Sequence, residues 1–126
     1  MRIGGDAFDL VAKTVVIAAG AHSKALAAQA GGHVPLDTER GHHVEFDMET
    51  PQVSRPVCPT ERGFYLVPIS GRLRVAGTVE LGGLSAPANS HRIALLERGA
   101  RDIFPDLGKP DRTWLGFASR CRILFR

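Results

Sequence analysis

A β-branched run that ends on three residues almost without side chains constrains this chain more than any other feature. Thr14-Val15-Val16-Ile17 has the apolar, β-branched character of a strand buried on both faces of a parallel sheet. It stops on Ala18-Ala19-Gly20. Small residues at the carboxyl end of such a strand leave main chain bare, and open α/β sheets seat their ligands there. The next residues, Ser23 to Ala30, predict a short helix with Ser23 as its N-cap and an amide end able to face an anion. Gly31-Gly32 supplies the C-cap. A strand, turn and helix with no ligand would carry the same pattern, so the residues alone leave both readings open.

Upstream, Arg2 to Val11 reads as a strand, a glycine turn at Gly4-Gly5 and a second short strand. Downstream, Leu36 to Phe46 predicts a strand on which Val44 and Phe46 alternate with His43 and Glu45. Thr50 to Pro59 holds three of the eight prolines and reads as an irregular or edge segment. Gly63 to Ile69 and Arg72 to Val79, joined by Ser70-Gly71, form the clearest hairpin signal in the chain. Asn89 is placed to cap a helix from about Ser90 to Phe104, with Ile93, Leu95, Leu96, Ala100 and Ile103 at helical spacing and Pro105 ending it. Arg112 to Phe117 is the next strand. The fold class this implies is α+β: a mostly antiparallel sheet with a helix packed on it, preceded by one strand–helix unit of α/β type.

Composition excludes more than it assigns. With 126 residues the chain makes one domain at most, and 44% hydrophobic residues are ordinary for a folded one. A net charge of +3, with acids and bases interspersed and no basic run, argues against nucleic-acid binding. Cys58 and Cys121 sit far apart without C-x-x-C or Cys/His spacing, so no zinc site is expected and a reduced, cytoplasmic chain is the default. No apolar stretch approaches the roughly 18 residues of a membrane span, and the amino terminus has no signal-peptide core.

Several segments together resemble the FAD-dependent amino-acid oxidase and dehydrogenase superfamily, which includes D-amino-acid dehydrogenases, glycine oxidases and sarcosine oxidases. They are Ala12 to Ser23, Val34-Pro35-Leu36 with Arg40-Gly41-His42-His43, Gly63-Phe64-Tyr65-Leu66-Val67-Pro68, Leu73 to Glu80, Phe104 to Leu107, and Trp114 to Phe117, in the family's order. The resemblance implies a remnant of the FAD-binding domain over residues 1–32, a substrate-binding domain over 33–117 and an out-of-family tail over 118–126. It implies FAD as the cofactor, an amino acid or related amine as the substrate, and oxidation to an imino acid that hydrolyses to a 2-oxo acid. No G-x-G-x-x-G occurs in the sequence, so the pyrophosphate-holding turn is absent from it. FAD binding by this chain alone, and turnover, are therefore not expected, and a separately encoded FAD domain is a conceivable partner. The parent enzyme's setting extends to peripheral association with the inner membrane. A non-catalytic α+β binding module, or a poorly folded pseudogene product, is the competing reading.

The resemblance also assigns roles residue by residue. Ala18, Ala19, Gly20 and Ser23 fall on the cofactor side, against tight helix–strand packing as the alternative. Tyr65 matches the tyrosine that reaches the substrate carboxylate in glycine-oxidase-like members, against a buried tyrosine with a local partner. His42 adjoins the cavity or is a core histidine; His43, on the opposite face of a strand, is a surface or core residue. Arg74 is a cavity-wall residue or a structural cation beside Glu80, Thr78 marks only a strand end, and Trp114 is expected in the core. After Trp-x-Gly-Phe the family carries an arginine that binds the substrate carboxylate, where this chain has Ala118. A shifted reading of Arg120 to Leu124 yields Met-Pro-Asp-Ser, close to the family's continuation, so a frameshift after Phe117 is expected.

Overall fold

The computed structural model describes residues 2–4 and 9–121, with side chains from residue 9 onward. Two short strands, β1 (Arg2–Gly4) and β2 (Asp9–Val11), pair antiparallel at the amino end, as their sequence predicts. The turn expected at Gly4-Gly5 lies mostly outside the described residues. A 3-10 turn (Gly20–His22) leads into α1 (Ser23–Gln29). The main sheet follows, from β3 (Leu36–Asp47), β4 (Phe64–Ile69), β5 (Arg72–Leu81) and, after α2 (Ser90–Ile103), β6 (Arg112–Cys121). Its order is β4-β5-β3-β6, and all three pairings are antiparallel.

Directly opposed residues on neighbouring strands share a face, so the register sorts this sheet into two surfaces. One carries Leu66-Val75-Val44 and Pro68-Leu73-Phe46 as rows across the strands. These rows meet Leu96 and Ala100 of α2, with Leu107 beyond it, and form the core. Asn89 caps α2 as its sequence predicts, its side chain accepting from the amides of His91 and Arg92. The buried stripe of α2 runs through Leu96, Gly99 and Ala100, whereas Leu95 is 41% exposed; helical phase turns it off the stripe. Gly99 lies against the ring of Phe64, where a Cβ would run into that ring. Ser70-Gly71 closes the hairpin with Gly71 at φ 72, and Val57 bridges to Leu66 on the edge strand.

Three local expectations are corrected. Thr14 to Ile17 forms no strand: none of these residues is in a ladder, and Val16 is 83% exposed. A run suited to burial on both faces needs hydrogen-bonded strands on either side, and no described strand flanks it. Ser23 is not the N-cap of α1 but its first residue, behind the 3-10 turn, and its Oγ accepts the Ala19 amide at 3.1 Å. The expected C-cap at Gly31-Gly32 does form, with Gly31 at φ 80 and paired bonds from Gly32 N–H to Ala27 C=O and Gly31 N–H to Ala28 C=O. The last strand does not stop at Phe117; it pairs on to Cys121, opposite Leu36. Backbone ladders extend wherever a partner strand continues, and β3 begins early enough to hold these residues, whose side chains are all exposed.

Candidate functional site

Among the described residues no helix packs on the face of the sheet away from α2, and its side chains are not those of an idle surface. Tyr65, Ala76, His43 and Trp114 form one row across all four strands, and Val67, Arg74, Glu45 and Arg112 form the next. Tyr65 is 55% exposed, with no hydrogen-bond partner for its hydroxyl among the described residues. The buried tyrosine considered as an alternative is therefore not what forms. Trp114, expected in the core, is 39% exposed: its row lies on the face that α2 does not cover. His43 stacks parallel on its indole at 3.8 Å between centroids, and the Arg74 guanidinium carbon lies 5.1 Å from a Trp114 ring centroid. Gly41 and Gly116, opposed in the ladder, let the imidazole of His43 lie close to the sheet; a Cβ on Gly116 would sit 3.0 Å from its Nε2.

Glu45 organises the charge on this face. It is 2% exposed and accepts from Arg74 Nε at 2.7 Å and Arg72 Nη1 at 3.0 Å, with Arg112 Nη1 at 3.6 Å. Burial alone would raise its pKa, but the hydrogen bonds from Arg72 and Arg74 and their positive charges outweigh that and hold it at about 2. Arg74 thus pairs with Glu45 and not with Glu80, which lies on the other side of the sheet. Its Nη atoms make no hydrogen bond to a described residue. Burial first, and the Arg74 charge second, lower the pKa of His43, whose Nδ1 is enclosed without a partner among the described residues. The face therefore presents a phenol, a guanidinium with free donors and an aromatic stack, a set suited to a small molecule bearing a carboxylate.

His42 faces the other way. It is fully buried, its Nδ1 donates to the Thr78 carbonyl at 3.0 Å, and its Nε2 accepts the Asn89 amide at 3.3 Å, which places the ring proton on Nδ1. Beside it Arg40, 3% exposed, pairs with Glu80 and donates to the carbonyls of Ala86 and Pro87. Glu80 also accepts from Arg92 Nε at 2.9 Å and Asn89 Nδ2 at 3.3 Å. Its burial would raise its pKa, yet the bonds from Arg40 and Asn89 lower it. This network ties the start of α2 to β3 and β5. At the same point β5 bulges: Thr78 and Val79 stand opposite Gly41 alone. Thr78 holds φ 51, a left-handed backbone that costs a β-branched residue about 1–2 kcal/mol and that glycine usually fills in such bulges.

The structure thus brings Tyr65 and Arg74 to one face and sets His42 behind it. Ala18, Ala19, Gly20 and Ser23 lie apart from that row, on the segment before and at the start of α1. Ala18 and Gly20 are exposed, and nothing stands within 4 Å of where a Gly20 Cβ would be, so bare main chain is available along this stretch. It fits as one flank of a dinucleotide. Sequence reasoning missed Glu45, Arg72, Arg112 and the His43–Trp114 stack. The alternation of charge at positions 45 and 47 and at 72 and 74 was the available signal, because residues two apart on a strand share a face.

The architecture is thus an antiparallel four-stranded sheet with α2 on one face and this polar set on the other. Residues 2–123 match the DAO family model, "FAD dependent oxidoreductase", and the chain belongs to that family. It is 33% identical to a D-amino-acid oxidase of Bradyrhizobium diazoefficiens over 86% of its own length and 27% of the relative's. A D-amino acid dehydrogenase of Vibrio vulnificus is 32% identical over 93% of this chain and 29% of the relative. Among solved structures, glycine oxidase from Geobacillus kaustophilus superposes with a TM-score of 0.74 at 25% identity, covering 90% of this chain and 31% of that one. The chain thus spans under a third of the length of each of these proteins. No helix among the described residues is long and apolar enough to cross a membrane.

Proposed function

We propose that this chain is the substrate-binding part of an FAD-dependent oxidoreductase that oxidises D-amino acids or related amines to imino acids, and thence to 2-oxo acids. One observation carries the reading: the register gathers Tyr65, Arg74 and Trp114 on the bare face of the sheet, in a chain whose relatives include a D-amino-acid oxidase and D-amino acid dehydrogenases. The Tyr65 hydroxyl and the free nitrogens of Arg74 hold the substrate carboxylate. The His43–Trp114 stack forms a firm wall that limits where the rest of the substrate lies. Glu45 keeps Arg74 oriented, and His42 is a positioning residue that acts from behind, through Asn89 and the Thr78 carbonyl.

FAD, when bound, supplies the hydride acceptor, and Ala18, Ala19 and Gly20, with Ser23 at the head of α1, lie along it. The sequence has no G-x-G-x-x-G and has Ala118 where the family carries its carboxylate-binding arginine. These 126 residues alone would then bind amino acids weakly and not turn over, and an FAD domain carrying that turn would complete the site.

Trp114 is the only tryptophan, so its emission reports on this face. Titrating D-alanine into the purified chain is expected to change that emission, ethylamine (which lacks the carboxylate) is expected not to, and Arg74→Gln is expected to abolish the response. Equal responses to both ligands would favour a non-catalytic binding module. No response to either would remove the substrate-wall reading.

A further inference from the structure

We infer that the bare face is built for an acidic substrate, an amino acid with a second carboxylate on its side chain, and that Arg72 selects it. This rests on the substrate site proposed for that face and adds the class of substrate. Arg72 and Arg74 stand two positions apart on β5 and so share the face. Both reach Glu45, at 3.0 and 2.7 Å, one to each carboxylate oxygen, so the two guanidiniums lie side by side. Each gives Glu45 a single nitrogen, and the other nitrogens of both make no hydrogen bond to a described residue. The two side chains are 35% and 31% exposed, so a ligand can reach those donors.

Charge sets how many carboxylates the face takes. Arg72, Arg74 and Arg112 all meet Glu45, and Arg112 also bonds Asp47 at 2.6 Å. Three guanidiniums against two carboxylates leave one positive charge unmatched. Glu39, the next acid along β3 on this face, lies roughly 20 Å from Glu45 along the strand and is bonded to Arg120. An amino acid with a neutral side chain brings no net charge and leaves the surplus standing. Glutamate brings one negative charge and cancels it.

The strand beside the arginines completes the fit. Val67 lies opposite Arg74 and Ile69 opposite Arg72, both half-buried on β4. They make an apolar strip leading away from Tyr65, along which a short methylene chain runs. With the α-carboxylate on Tyr65 and Arg74, the side-chain carboxylate falls at Arg72. The Nε and Nη2 of Arg72 are bonded to no described residue and form one edge of the planar group. That edge takes a carboxylate through two parallel N–H donors, which a lysine could not offer.

The test follows Trp114 emission in the purified full chain, titrated with D-glutamate, with D-glutamine as its uncharged isostere, and with D-alanine. D-glutamate should bind about tenfold tighter than D-glutamine, the size of one added bond between charged groups. Arg72→Gln should bring that ratio to about one, whereas Arg72→Lys, which keeps the charge without the fork, should retain part of it. If Arg72→Gln fails to fold, Ile69→Glu decides. It sets a carboxylate opposite Arg72 and should bring the ratio to about one with every arginine in place. Arg98→Gln, on α2, should leave the ratio as it is. A D-alanine response with D-glutamate no tighter than D-glutamine would overturn the acidic class alone, as would a ratio unchanged in Arg72→Gln or Ile69→Glu. No response to any of the three ligands would overturn the acidic class and the substrate site together.

Discussion

Both faces of the main sheet carry a glutamate held by arginines, and the two clusters do different work. On the α2 side, Glu80 is met by Arg40, Arg92 and Asn89, and Arg40 is further tied to two loop carbonyls. On the bare side, Glu45 is met by Arg72, Arg74 and Arg112, and Arg74 spends one nitrogen on it and keeps the others free. The first cluster is roofed by loop and helix and pins them. The second is roofed by nothing in the described residues and leaves donors available. A charge pair therefore says little about role until its surroundings show whether hydrogen-bonding capacity remains.

That contrast can be broken first at the core. Leu96→Ala, on the covered side, should cost about 3 kcal/mol by cavity formation, read by urea denaturation, whereas Tyr65→Phe on the bare side should stay within about 0.5 kcal/mol. A large effect at Tyr65 would mean that face is structural. Next, Gly99→Ala forces a methyl into the Phe64 ring and should cost about 1–2 kcal/mol by overpacking, despite the better helix propensity of alanine.

The Glu45 cluster gives a pH signature. Because its folded pKa lies at about 2, below the ordinary value of 4.5, its stabilisation is complete above pH 4.5 and is lost as pH falls through about 2. Glu45→Gln should flatten the acid limb of a stability–pH profile between those values; an unchanged limb would show that the cluster contributes nothing. His43 has the same sign at higher pH: its pKa is lowered, so stability should begin to fall below about 6.5 as the unfolded chain takes up the proton. The smallest stability effect is expected for Ala118→Arg, an exposed position in the same alternate-residue line of β6 as Trp114 and Gly116. The melting temperature should hardly move, while D-alanine affinity, followed by Trp114 emission, should rise about tenfold through an added charge-assisted bond.

Elements whose signal is local were legible in advance. The Ser70-Gly71 hairpin, the Asn89 cap and the Gly31-Gly32 stop each need only neighbouring residues, and each appears where the sequence places it. Thr14 to Ile17 misled because its β-branched run predicts strand only if partner strands flank it. Trp114 misled because size suggests burial, whereas face decides it. Tyr65 was singled out by its setting in a motif, but Glu45, Arg72 and Arg112 belong to no motif and became visible only through register.

What the amino-acid order determined by itself is the family, the elements of the main sheet with α2, and the Ser70-Gly71, Asn89 and Gly31-Gly32 turns and caps, because propensity, capping and motif spacing act within a few residues. What only the tertiary structure decided is which side chains share a surface: that Arg74 answers Glu45 and not Glu80, that His42 and His43 serve opposite faces, and that Thr78 is bent into a left-handed bulge. Those outcomes depend on how strands distant in sequence slide against one another, and a one-residue slip would reverse every one of the facing assignments.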